Sequence, residues 1–183
     1  MRPSRALVVL AVAVVAAGCG GGSPESRSER PIVLVSGRDD HGLLAQRRVG
    51  LSENPDGPPR AWVRDGTLVA VVGSRGEWLR VRATEGRAAG WVNDYYLRGT
   101  VHLVGPDPHC PVPAWERPAW RRSGAFPASA QVELLEVRRT AGQTWVLARS
   151  LENRGVGWVA RAAVSELPAP TTSSHASSTC SRP

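Results

Sequence analysis

Trp78-Leu79-Arg80-Val81-Arg82, followed by Gly90-Trp91-Val92 and Tyr96-Leu97, returns later in the chain as Trp145-Val146-Leu147-Ala148-Arg149, Gly157-Trp158-Val159 and Ala163-Val164. Trp78 and Trp145, Arg82 and Arg149, Gly90 and Gly157, and Trp91 and Trp158 all stand 67 residues apart, so this half of the repeat aligns without a gap. A duplication fixes the domain plan before any other reading, and short apolar runs between turn signals make each copy a small β module. In the first copy the runs are Leu68 to Val72, Trp78 to Ala83 and Gly90 to Val92, separated by Gly73-Ser74-Arg75-Gly76 and Glu85-Gly86-Arg87. They predict an antiparallel meander in which Leu79 and Val81, matched by Val146 and Ala148, face a core at a period of two. Val69 and Val71 match Val132 and Leu134 at an offset of 63, which predicts a turn four residues longer in the second copy, around Arg138 to Gly142.

Both ends of the chain read differently from its middle. Arg2 and Arg5 precede an uncharged apolar run from Ala6 to Ala17. That run is shorter than the roughly 20 residues a spanning helix needs, so residues 1–18 read as an export signal. It ends in Ala16-Ala17-Gly18-Cys19, which resembles the lipobox of bacterial lipoproteins. The resemblance implies that Cys19 carries palmitate-type acyl chains, becomes the mature N-terminus and holds the protein outside the cytoplasm at the membrane surface. Residues 19–30 are glycine-rich and polar and read as a flexible tether, and residues 168–183, rich in Ser, Thr and Pro, as a disordered tail. Between them the repeat predicts two modules, residues 31–104 and 111–167, joined by a stiff linker at 105–110 that contains Pro106 and Pro108.

A strand that begins with Trp, a hairpin, then Gly-Trp-Val and, three residues on, Tyr-Leu resembles the bacterial Src-homology-3-like (SH3-like, SH3b-type) domain. The resemblance covers the central and C-terminal strands of both copies. It implies an all-β protein with two tandem small SH3-like barrels, each five-stranded with a short helical turn before its last strand. In the eukaryotic branch of that fold, residues at the places of Trp78 and Tyr96 line a shallow groove for extended peptides, and Asn93 stands where that branch has proline. The resemblance therefore implies a ligand site at Trp78 and Tyr96 with Asn93, Asp94 and Tyr95 beside it. Bacterial members imply binding of cell-wall peptides or glycans, or a targeting and spacing role beside another envelope protein. The second copy keeps Trp145 but has Ala163 at the place of Tyr96 and Ala160-Arg161 at the place of Asn93-Asp94. Its groove lacks that aromatic wall, and Trp115 and Trp120, in the stretch from Pro113 to Arg122, are placed to supply a different one.

Catalytic signals are sparse. Asp39, Asp40 and His41 form the densest polar cluster, and a hydrolase built on them is one alternative; aspartates that cap backbone N–H groups at a strand entry are the simpler reading. No HExxH, Gly-x-Ser-x-Gly or CxxC is present, so the expectation is a non-catalytic protein with no cofactor and no metal. All 23 basic residues are arginine against 16 acidic ones. Surplus arginine suits anionic surfaces, and an arginine-for-lysine bias is also what a GC-rich, actinobacterial genome produces. The export signal disfavours nucleic acid. With Cys19 lipidated, Cys110 and Cys180 remain as an even pair in an oxidising compartment and are expected to bond around the second module, the alternative being a free thiol or an intermolecular bond. The overall expectation is a lipid-anchored binding or positioning module of the cell envelope. The main alternative is a spacer or assembly subunit without a groove.

Overall fold

The computed structural model describes residues 30–170 and residue 180, so the signal sequence, Cys19, most of the tether and most of the tail lie outside the described residues. The described chain is all-β. It runs through β1 (Ile32–Val35), β2 (Arg48–Ser52), β3 (Pro59–Arg64), β4 (Leu68–Arg75), β5 (Trp78–Ala83), β6 (Ala89–Asn93) and β7 (Leu97–Arg98). It continues through β8 (Thr100–Leu103), β9 (Val112–Trp115), β10 (Arg122–Phe126), β11 (Gln131–Thr140), β12 (Gln143–Ser150), β13 (Val156–Ala160) and β14 (Val164–Ser165). Short 3-10 turns at Asp94–Tyr96 and Arg161–Ala163 precede β7 and β14. Among the described residues no helix is long and apolar enough to cross a membrane.

Pairing is antiparallel throughout and repeats itself. The meander β4-β5-β6 is matched by β11-β12-β13, and the hairpin β2-β3 by β9-β10. Both meanders carry a register shift at the same place, between Val71 and Gly73 and between Leu134 and Glu136. The two glycines of the Gly-Trp-Val motifs have a shared physical reason. A Cβ on Gly90 would come within 2.8 Å of the Ser52 carbonyl oxygen, and one on Gly157 within 2.9 Å of the Ala114 Cβ. Each glycine lets its meander press against the neighbouring hairpin, where Ser52 pairs with Trp91 and Trp115 with Trp158.

Two expectations are corrected here. The four extra residues of the second copy do not lengthen a turn. Arg138 to Thr140 belong to β11, whose ladder with β12 runs out to Thr140 and Gln143, leaving a two-residue turn at Ala141 (φ 51°) and Gly142 (φ 78°). The first copy closes in the same way between Arg75 and Trp78, and two-residue turns with positive φ match the twist of paired strands, so the insertion extends the ladder instead. The boundary expected at residue 104 is also moved by the pairing. β8 bonds to β11 and β14 just as β1 bonds to β4 and β7, so β8 opens the second strand set and the division falls at Gly99. Val101 and Leu103, both fully buried, pack with second-copy residues.

The two sets are not beads on a string. β1 bridges to β11 at Ile32 and Leu134, which joins all strands into one network. Alternation along β1 sends Val33 and Val35 into a cluster with Val49, Leu51, Val69, Val81 and Val92, while Ile32 and Leu34 join the cluster of Val101, Leu103, Val132, Val146 and Val159. β4 divides likewise, with Val69 in the first cluster and Leu68 in the second. A strand buried on both faces reads as a continuous apolar run, which is what Ile32-Val33-Leu34-Val35 is. Polar contacts reinforce the join. The Glu166 carboxylate, beyond β14, accepts from the Ser36 hydroxyl at 2.6 Å and from Arg98 Nε at 3.1 Å, with Arg38 Nε at 3.4 Å.

Candidate functional site

In the first copy, Trp78 opens β5 opposite Arg75 and Asn93. Tyr96 is half-buried against the first cluster, and the exposed Tyr95 ring meets it edge to face, with centroids 5.1 Å apart. Among the described residues no ring contact joins Trp78 to Tyr96. The Asn93 side-chain oxygen accepts from Tyr95 N at 3.0 Å and so caps the 3-10 turn, and Asp94 is exposed. Loss of solvent around the Tyr95 phenol, together with the Asp40 carboxylate that hydrogen-bonds it and the nearby Asp39, raises its pKa above the ordinary value. Asp39 is committed to its own loop, where Oδ1 accepts from His41 N at 3.0 Å and Leu43 N at 2.9 Å. Among the described residues no group of three His, Cys, Asp or Glu is placed to hold a metal ion.

The second copy forms a cavity of about 700 Å³. Its lining includes Val104 to Pro106 after β8, Val112, Pro113 and Trp115 on β9, and the small residues Ala160, Ala162 and Ala163 at the end of β13 and in the following turn. Trp145 and Gln143 enter from β12. On β12, Val146 and Ala148 point into the second cluster, so Trp145, one step away, stands on the other face of the strand. Trp115 and Trp145 pack edge to face, centroids 5.8 Å apart at 81°, and the Arg122 guanidinium lies 5.3 Å from the centre of the Trp115 ring. Trp120, the other tryptophan expected to serve this copy, is 60% exposed with the Arg117 guanidinium 4.8 Å from its ring centre.

The electrostatics of this cavity are specific. Among the described residues no charged side chain lines it. Trp145 is 5% exposed, and its Nε1 is buried without a hydrogen-bond acceptor among the described residues. An unmet buried N–H costs about 1–3 kcal/mol, and such groups in native proteins call for a reason. Trp145 as a residue lines the cavity, while its Nε1 is closed off from solvent. Sequence reasoning marked Trp115 as available, noted Ala160 and Ala163 only as the loss of an aromatic wall, and missed Gln143 and Ala162, since small residues carry no ligand signal until a fold leaves space over them.

No protein-family model matches the sequence. No curated protein matches it either. Among solved structures, NlpC2 from Trichomonas vaginalis is similar with a TM-score of 0.35 and 15% identity, over 73% of this chain and 47% of that one. NlpC1 from the same organism follows with a TM-score of 0.32 and 13% identity, over 73% and 45%. The chain spans about half the length of each.

Elsewhere Cys110 and Cys180 are disulfide-bonded, with Cα atoms 5.5 Å apart. The bond fastens the tail to the segment that runs from β8 to β9 past the cavity. Ala169 N donates to Ser129 Oγ at 2.9 Å and pins the tail's start.

Proposed function

We propose that this chain is an exported, non-catalytic binding module of the cell envelope, lipid-anchored through Cys19. In this reading its two strand sets are tandem SH3-like barrels, and the second holds an extended, uncharged peptide segment of the cell wall or of an envelope protein. The observation that carries the reading is the cavity lined by Trp115, Trp145, Gln143 and alanines and, among the described residues, by no charged side chain, with the unpartnered Trp145 N–H buried in the same side chain. A small shift of the Trp145 ring on binding would bring that donor to a peptide carbonyl, and small apolar side chains would fill the space over Ala160, Ala162 and Ala163. A glycan fits the lining poorly, because each sugar hydroxyl brought into an apolar site needs a polar partner and Gln143 with Trp145 offers few. Anionic wall polymers fit poorly for the same reason, the arginines lying outside the cavity.

The test is titration of the soluble fragment, residues 20–183, with an acetylated, amidated tetra-alanine peptide and, separately, with a chitin tetrasaccharide. Saturable binding of the peptide with movement of the Trp145 indole N–H resonance is expected. Saturable binding of the saccharide alone would replace peptide by glycan as the ligand class. A second reading, a rigid spacer without a ligand, is favoured by β1 serving both cores and by the Glu166 contacts across the copies. Binding of neither probe supports it.

Anchoring is tested separately. Cys19→Ala is expected to move the protein out of the processed membrane fraction and leave it as precursor, because the lipoprotein signal peptidase pathway acts on the acylated cysteine. Unchanged processing and fractionation of this variant on immunoblots of cell fractions would remove the anchor from the proposal.

A further inference from the structure

The 3-10 turn that borders the cavity is held unlike its counterpart. In the first copy, Asn93 caps the Asp94–Tyr96 turn, and Arg98 Nη1 donates to the Tyr95 carbonyl at 2.6 Å, so the turn is fastened by residues of its own copy. In the second copy, Ala160 stands at the place of Asn93 and gives no side-chain cap. Arg161, at the place of Asp94, does the fastening. Its Nη1 donates to the Val164 carbonyl at 3.1 Å, and its Nη2 donates to the Gly66 carbonyl in the β3–β4 turn of the first copy.

Four features give this arginine leverage. Gly66 sits at φ +80° in a turn that is itself braced, with Gly66 N donating to the Val35 carbonyl and Gly37 N to Asp65 Oδ1. Arg161 is buried enough that loss of solvent lowers its pKa, with Glu85 nearby opposing that effect. Its donors meet neutral carbonyls, and among the described residues no carboxylate lies within ion-pair distance of it. A charged donor with little solvent holds its acceptors firmly. The residue before it, Ala160, lines the cavity and pairs in register with Trp145.

We infer that Arg161 is a positioning residue that ties the Trp145 cavity to the first copy, so that ligand affinity in the second copy depends on the β3–β4 turn of the first. The inference rests on the binding reading above. It makes the duplication functional in an asymmetric way: one copy supplies the cavity, and the other supplies the abutment that sets its width.

The experiment compares Arg161→Gln, Arg161→Lys and Glu166→Gln in the fragment 20–183. Tetra-alanine titrations are followed together with the Trp145 indole N–H resonance, assigned by its loss in Trp145→Phe. Loss of a charge-assisted hydrogen bond corresponds to a factor of about ten in affinity, so Arg161→Gln is expected to weaken the peptide about tenfold and shift the Trp145 resonance. Arg161→Lys, which keeps the charge but not the fork, is expected to fall between the two. Glu166→Gln removes a different contact between the copies and is expected to lower the unfolding temperature with peptide affinity unchanged. Equal losses in Arg161→Gln and Glu166→Gln would show a merely structural role and overturn the inference. So would an Arg161→Gln protein that binds like wild type with an unmoved Trp145 resonance. If wild type binds no peptide, the binding reading fails by itself, and the resonance alone then decides whether Arg161 positions the cavity.

Discussion

Trp145→Phe is expected to weaken tetra-alanine binding by about tenfold or more while leaving the unfolding temperature almost where it was. The phenyl ring keeps most of the apolar contact with Trp115 but removes the indole N–H, which has no acceptor of its own among the described residues. Deleting an unpaired buried donor relieves a cost of about 1–3 kcal/mol, which offsets the packing lost with the smaller ring. In the proposed complex a shift of the ring pairs that same donor, so its loss is expected to be felt in binding alone. Trp145→Ala combines both effects: binding falls below detection, as for an aromatic hot spot worth 2 kcal/mol or more, and stability falls by about 3–5 kcal/mol. Calorimetric titration and thermal melts of the two variants separate these contributions. A Trp145→Phe protein that melts far below wild type yet binds the peptide equally well would mean that the indole N–H is not the ligand's donor.

Breaking the Cys110–Cys180 bond is expected to lower stability about as much as Trp145→Ala does. The bond closes a stretch of 70 residues that contains β9 to β14. In the chain-entropy account, a loop of that length restricts the unfolded chain by about 4 kcal/mol. For a folded unit of this size that corresponds to a fall in unfolding temperature of roughly 8–16 °C. Cys180→Ser, and wild type after treatment with a dithiol reductant, are expected to melt at the same lower temperature. An unchanged melting temperature, together with free thiols at both positions in non-reducing peptide maps, would mean that the clasp is absent from the exported protein.

Much of the β plan was legible because it depends on local pattern. The 67-residue offset identified the two meanders, and of the four residues that the period of two assigned to the interior Val81, Val146 and Ala148 are fully buried and Leu79 is partly buried against the first cluster. The Gly-Trp-Val motifs marked places where β6 and β13 meet a hairpin, because only glycine allows backbones that close. The Asp39 cap of the 38–43 loop could also be read from residue type and spacing, while among the described residues Asp40 faces Tyr95 instead.

What the tertiary structure decided concerns contacts between residues far apart in the chain. Local pattern says that Ile32 to Val35 is wholly apolar; it does not say that one face serves each copy, since that depends on Leu134 arriving beside Ile32 from about a hundred residues away. Aromatic residue types favoured Trp78 and Tyr96 as a groove; the cavity that Trp115 and Trp145 share is completed by the alanines at positions 160, 162 and 163, Ala163 standing at the place of Tyr96, which packs against the first cluster. An arginine that reaches 95 residues back to a glycine carbonyl has no sequence signature at all. Strand period and turn chemistry are properties of neighbours in sequence; an unfilled volume and a buried donor without an acceptor exist only once the chain has closed around them.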